Sequence, residues 1–255
     1  MNFELSRLPA RNSKPRQSGL TMVMDKGLSI REVEDFISVC EPHVDIVKLG
    51  FGTSFVTPKL KEKLKVYRDA KIPVYLGGTL LECFIARNEF ENYLRVLDEF
   101  QLEFAEMSDG SLEMEHEEKC DYINRLSKKV TVLSEVGSKD DKKIIPPYKW
   151  IEQMKTELEA GAWKVIAEAR EGGNVGIYRG NGEVREGLVE EILTQIPAEN
   201  IVWEAPSKTQ QVWFIKLAGT NVNLGNIAPN EVIPLETLRI GLRGDTLKFF
   251  LDQVK

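Results

Sequence analysis

Histidine and cysteine are scarce in this chain, at two and three residues of 255. No CxxC spacing occurs, and two histidines cannot complete an ordinary zinc site. Cys40, Cys83 and Cys120 are odd in number and far apart. That excludes a disulfide framework and suits free thiols in a reducing compartment. No apolar run reaches about 18 residues, so no membrane-spanning helix is expected. The opening MNFELSRLPARNSKPRQ has no apolar signal core, so a cytoplasmic rather than a secreted protein is expected. Basic residues number 34 against 40 acidic ones, a net charge of −6. This excludes a general nucleic-acid binder, and any anionic ligand must be held by local cations.

What is present is a repeated alternation. Short apolar runs at 19–27, 44–52, 72–78, 102–110, 130–138, 163–169, 200–206 and 220–229 read as strands. Amphipathic stretches between them read as helices. Ser29 is placed as the N-cap of the first, Thr57 as the cap of the second, and a break is expected near Asn88. Eight such units in 255 residues predict a single (βα)8 TIM-type barrel with eight parallel strands, spanning 1–255 with a short N-terminal extension to about residue 17. A doubly wound sheet is the alternative. It ranks second because DKGLS, after strand one, holds one glycine and no phosphate loop.

Four consecutive strands end alike, with Glu106 in FAEM, Glu135 in LSEV, Glu168 in IAEA and Glu204 in VWEA. In a barrel these ends form one mouth, where active sites sit. Buried carboxylates need cations, hydrogen bonds or a metal. Magnesium takes one or two carboxylates plus water and substrate oxygens, so the remaining glutamates should meet basic residues. Lys48, inside an apolar strand, is expected to point inward, and Lys139 and Arg170 follow later strands. The bland alternative is a mouth of ion pairs only. His116, in EMEHEEK, reads as part of a solvated helix face, and the cysteines as small packing residues.

The strings DIVKLGFGTS, GGTLLE, MSDGS, EVGSKD, IAEAREGGNVGIYR, WEAPSKTQQ, NVNLGNI and LETLRIGLRGDT, in that order, resemble the phosphosulfolactate synthase family from about Lys14 to Thr246. The resemblance implies a (βα)8 barrel that uses Mg2+ to add sulfite to phosphoenolpyruvate, giving (R)-2-phospho-3-sulfolactate for coenzyme M biosynthesis. Sulfite is itself a good nucleophile, so no Ser, Cys or His nucleophile is required. On this reading Glu106, Glu135 and Glu168 form the metal pool, with Asp25 and Asp109 in reserve. Lys48 and Lys139 are proton donors, their pKa values expected to be lowered by burial beside other cations. Arg170, Arg179, Asn223 and Asn226 are substrate binders. Arg239, Arg243 and Gly244, in TLRIGLRGDT, are expected to clamp phosphate after strand eight. A homo-oligomer is implied; neither nucleic acid nor membrane is an expected partner. The alternatives are a related Mg-dependent enolate-forming enzyme with another nucleophile, and a non-catalytic, stress-associated protein-interaction barrel.

Overall fold

The runs rich in Val, Ile and Leu become eight parallel strands in the computed structural model, which describes residues 3–138, 145–170 and 172–253. They are β1 (Thr21–Asp25), β2 (Ile46–Leu49), β3 (Val74–Leu76), β4 (Phe104–Met107), β5 (Thr131–Val136), β6 (Lys164–Ala167), β7 (Ile201–Glu204) and β8 (Leu224–Ile227). The hydrogen-bonded order is β3-β2-β1-β8-β7-β6-β5-β4. β3 and β4 touch across the remaining seam, so the sheet is a nearly closed (βα)8 barrel. Parallel neighbours require a crossover, and each helical stretch supplies one. Among the described residues no helix is long and apolar enough to cross a membrane.

The period of two along each strand separates two cores. Outward side chains such as Val23, Val47, Ala105, Val132, Val165 and Trp203 pack under the helices. Inward side chains Met22, Ile46, Tyr75, Leu133, Ile166 and Val202 form a second cluster, with Phe104 and Trp163 against it. That interior is full. A Cβ on Gly225 would lie 2.6 Å from Met22 Cε and 3.1 Å from Val202 Cγ1, so β8 has glycine at its inward position.

Helix ends follow local chemistry in part. Ser29 forms a capping box with Glu32, and Ser207 one with Gln210. The break at Asn88 separates Gly78–Ile85 from Phe90–Phe100. Thr57 does not cap the next helix. It closes the four-residue turn Thr53–Val56, and the helix Leu60–Asp69 starts after Lys59 in the left-handed region. A further departure lies after β8, where the helix Val232–Arg239 intervenes before Gly244–Gln253. Pro234 stands in this helix's first turn, where no N–H is needed.

The N-terminal extension lies against the barrel end where the strands begin. Arg11 pairs with Glu236 at 3.0 Å, Lys14 with Glu41 at 2.9 Å and Arg16 with Asp45 at 3.0 Å. The Asn12 N–H donates to Asn221 Oδ1 at 3.0 Å.

Candidate active site

Five inward apolar residues of the barrel floor are each followed, two positions on, by a charged one. Ile46 is followed by Lys48, Phe104 by Glu106, Leu133 by Glu135, Ile166 by Glu168 and Val202 by Glu204. Strand pleating therefore stacks a ring of four carboxylates and one ammonium on an apolar floor at the C-terminal mouth. All five are at most 5 % exposed. They line a cavity of about 230 Å³ with Met24, Phe51, Gly78, Thr79, Arg170 and Asn226.

Lys48 is the hub. Its Nζ lies 2.9 Å from Glu106 Oε2, 3.5 Å from Glu135 Oε2 and 3.7 Å from Glu204 Oε1. Burial alone would depress its pKa, but Glu106 and Glu135 overcome that and hold it well above the ordinary lysine value. The expectation of a lowered lysine pKa is therefore reversed, because carboxylates and not cations surround it. Glu106 is fixed from its other side, where the Gly78 N–H donates to Oε1 at 2.7 Å. That amide opens the helix Gly78–Ile85, whose N-terminal dipole favours the negative charge. A side chain at Gly78 would intrude, since its Cβ would lie 2.9 Å from Glu106 Oε1. Burial, then the charge of Glu106, raises the Tyr75 phenol well above its ordinary pKa and keeps it neutral.

Glu135, Glu168 and Glu204 converge, with one ligand oxygen of each within 4.8 Å of the others. Glu204 Oε2 accepts the Ala169 N–H at 2.9 Å, and Glu168 Oε1 accepts the Arg170 N–H. Glu204 Oε1 is buried without a hydrogen-bond donor. Burial, reinforced by Glu135 and against the pull of Lys48, pushes its carboxyl up to about 7. An all-oxygen set of three converging carboxylates is the donor chemistry of magnesium. Glu204 joins the expected Glu135 and Glu168 in this trio, and Glu106 lies beside it at 2.9 Å from Lys48. The signal for Glu204 was in the sequence, at the strand end shared by all four glutamates.

The other expected residues divide by place. Asn226 lines the mouth with φ 55°, where the β1–β8 register shifts. This bulge turns an otherwise alternating strand so that the asparagine joins the cavity. Its Oδ1 is buried and lacks a hydrogen bond. Arg170 stands at the rim, also at positive φ. Arg179 lies apart in an outer groove with Arg185 and Lys216. Asn223 does not reach the mouth. It is wholly buried and bonds Leu20 N at 3.0 Å and Ile201 O at 2.9 Å, at the opposite strand ends.

Arg239 likewise donates to Leu20 O, Thr220 O and Val222 O at 2.7–3.1 Å, at the N-terminal ends of β1 and β8. The intervening helix carries TLRIGLRGDT away from β8, so the expected phosphate clamp is not assembled there. Arg243 faces Asp245 at 3.8 Å, and neither it nor Gly244 lines the mouth. Lys139 lies outside the described residues.

The reserve carboxylates serve the scaffold. Asp25 takes Lys63 at 2.6 Å, Tyr67 at 2.9 Å and the amides of Gly27 and Leu28. Asp109 takes Lys119 at 2.9 Å. Lys119 also donates to Glu135 O at 2.6 Å and pairs with Glu157 at 2.9 Å, bracing the end of β5 from behind. His116 belongs to this half-buried network rather than to a solvated face. Its Nε2 lies 2.6 Å from Thr156 Oγ1, and its Nδ1 3.6 Å from Glu157. Cys40 is buried and Cys120 partly so, whereas Cys83 is exposed and does not serve as a packing residue.

Comparison with known proteins places the chain in a family. The profile of (2R)-phospho-3-sulfolactate synthase (ComA) matches residues 9–245. Phosphosulfolactate synthase of Methanothermobacter thermautotrophicus is 41% identical over 245 residues, covering 94% of this chain and 95% of that protein. The enzyme of the same name from Bacillus subtilis is 41% identical over 254 residues, covering 98% and 100%. Among solved structures, 3-hexulose-6-phosphate synthase from Salmonella typhimurium superposes with a TM-score of 0.58 over 86% of this chain and 98% of that one, at 11% identity, a likeness of fold alone. Matched over nearly its whole length, the chain belongs to the phosphosulfolactate synthase family.

Proposed function

We propose that this protein joins sulfite to phosphoenolpyruvate, giving (R)-2-phospho-3-sulfolactate, with Mg2+ as its cofactor. The observation that carries the reading is Lys48, a buried ammonium ringed by carboxylates at the mouth of a barrel of this family. In the reaction the sulfur lone pair forms a bond to the methylene carbon. The π pair moves toward the carbon bearing phosphate and into the carboxylate, and that carbon then takes a proton.

Glu135, Glu168 and Glu204 would hold the cation, which when bound supplies a Lewis acid for charge developing on the substrate carboxylate. Lys48 is charged at neutral pH and stands at the mouth, which makes it the proton-donor candidate, although the carboxylates that raise its pKa make it a weaker acid than an ordinary lysine. Glu106, itself held by the Gly78 amide, fixes the position of that ammonium. Arg170 and Asn226 offer donors to the substrate's anionic groups. Lys139 remains the second proton-donor candidate.

The test is product formation from phosphoenolpyruvate and sulfite, with and without divalent cation. Sulfite-dependent phosphosulfolactate that disappears on chelation is expected. Consumption of phosphoenolpyruvate without sulfite would point to a different nucleophile. No turnover with both substrates and Mg2+ present would reject the assignment.

A further inference from the structure

The turn after β2 carries a residue that ordinary turn chemistry does not explain. Phe51 has φ 44°, in the left-handed region where a bulky side chain is strained. Glycines stand on both sides of it, at 50 and 52, and either would take that conformation at little steric cost. The strain therefore falls on the one residue of the three least suited to it.

The surroundings hold it there. The Gly50 N–H donates to Asp25 O at 2.9 Å, and the Thr53 N–H and hydroxyl both donate to Gly50 O, at 3.0 and 2.8 Å. From the neighbouring strand end, the Gly77 N–H donates to Leu49 O at 2.9 Å. A Cβ on Gly77 would lie 2.7 Å from Phe51 N, so glycine at 77 lets the strained turn sit close. A conformation fixed from several sides is the setting in which strain persists, and it is found where function requires it.

The ring is not used for folding. Phe51 belongs to neither apolar cluster and is 40% exposed. It lines the mouth, where, among the described residues, Met24 and Phe51 are the apolar side chains beside charged groups, polar groups and a glycine. An enol phosphate has anionic groups on one carbon and a bare methylene on the other. The charged residues match the first, which leaves the methylene edge to the apolar wall.

We infer that Phe51 is a specificity-determining residue, its ring held by a strained turn as the wall against the methylene edge of the substrate. This rests on the sulfite-addition reading. The test compares wild type with Phe51→Gly and Phe51→Leu in thermal unfolding, steady-state kinetics and calorimetric binding of phosphoenolpyruvate. Phe51→Gly should keep a Tm at or above that of wild type, because strain is lifted and no core contact is lost. Its kcat/KM should fall by at least about tenfold, mainly through KM, the scale of a lost apolar contact in a specific pocket. Phe51→Leu should recover part of that loss.

Unchanged kcat/KM in Phe51→Gly overturns the inference, and so does a sharp fall in its Tm, which would make the ring structural. Wild-type turnover is the control for the reaction. If it is absent the reaction reading fails, and binding then decides Phe51 alone. A tenfold weaker affinity in Phe51→Gly supports the wall, and equal affinity removes it. A wild type that neither turns over nor binds phosphoenolpyruvate at millimolar concentration overturns both.

Discussion

Lys48 and Glu204 are opposite answers to one problem, a charge taken out of water. Lys48 keeps its charge because three carboxylates lie within 3.7 Å. Glu204 has weaker compensation, and its carboxyl moves up to about 7. Lys48→Met removes the one ammonium from the ring. The expected outcome is a 10²–10⁴-fold loss of kcat, the usual scale of a positioned acid. Urea unfolding without divalent cation should also show a loss of about 3–5 kcal/mol, the cost of stranding buried partners. Full activity in that variant would remove Lys48 from the chemistry. Glu204→Gln should weaken the Mg2+-induced rise in Tm, with apparent affinity down by about tenfold or more. An unchanged Mg2+ titration would take Glu204 out of the cation site. Glu204 and Glu106 are indistinguishable in the sequence, each ending an apolar run. Folding gives them different neighbours, the Gly78 amide and Lys48 at 2.9 Å for Glu106 and the Ala169 amide for Glu204.

At the scale of elements, the strands were legible and one helix was not. A period of two in Ile46–Lys48 and Leu133–Glu135 is a local property, and so is the serine-to-glutamate spacing that caps the first helix. The helix Val232–Arg239 is not among the expected elements, which place one helix after strand eight; it carries Pro234 in its first turn. Whether a proline stops a helix depends on its position within it, which local sequence does not state. The N-terminal extension is held by ion pairs between distant segments, and one of them is sensitive to acid. Glu236 is buried, which by itself would raise its pKa, but Arg11 at 3.0 Å prevails and lowers it below the ordinary 4.5. A depressed folded value means this pair stabilises the protein above about pH 4.5. The contribution fades as pH falls through the folded value. Urea unfolding of wild type and Glu236→Gln from pH 7 to pH 3 should therefore show a stability gap that narrows below about pH 4.5. A gap independent of pH would mean that Glu236 acts through packing alone.

For the molecule as a whole, the barrel has two ends with different work. At one end a charged ring lies on the apolar floor. At the other, Arg239 is fully buried, its pKa pushed down to about 9 chiefly by burial, and it clips β1 to β8 through three carbonyls. Arg239→Leu should cost about 3–5 kcal/mol in unfolding while leaving the KM for phosphoenolpyruvate within about twofold in protein that remains folded. A large change in KM with unchanged stability would return Arg239 to the substrate site.

The sequence alone determined the alternation of strand and helix, hence the barrel, and the four glutamates at its strand ends. These follow from periodicity, which every residue carries in its own position along the chain. Only the tertiary structure decided which glutamates converge, that Lys48 is ringed by carboxylates, and that the two arginines of TLRIGLRGDT lie away from the mouth. Those outcomes depend on strand stagger, a bulge at Asn226 and a helix inserted after β8. They are relations between segments up to 219 residues apart, as in the bond from Arg239 to Leu20, and no local pattern contains them.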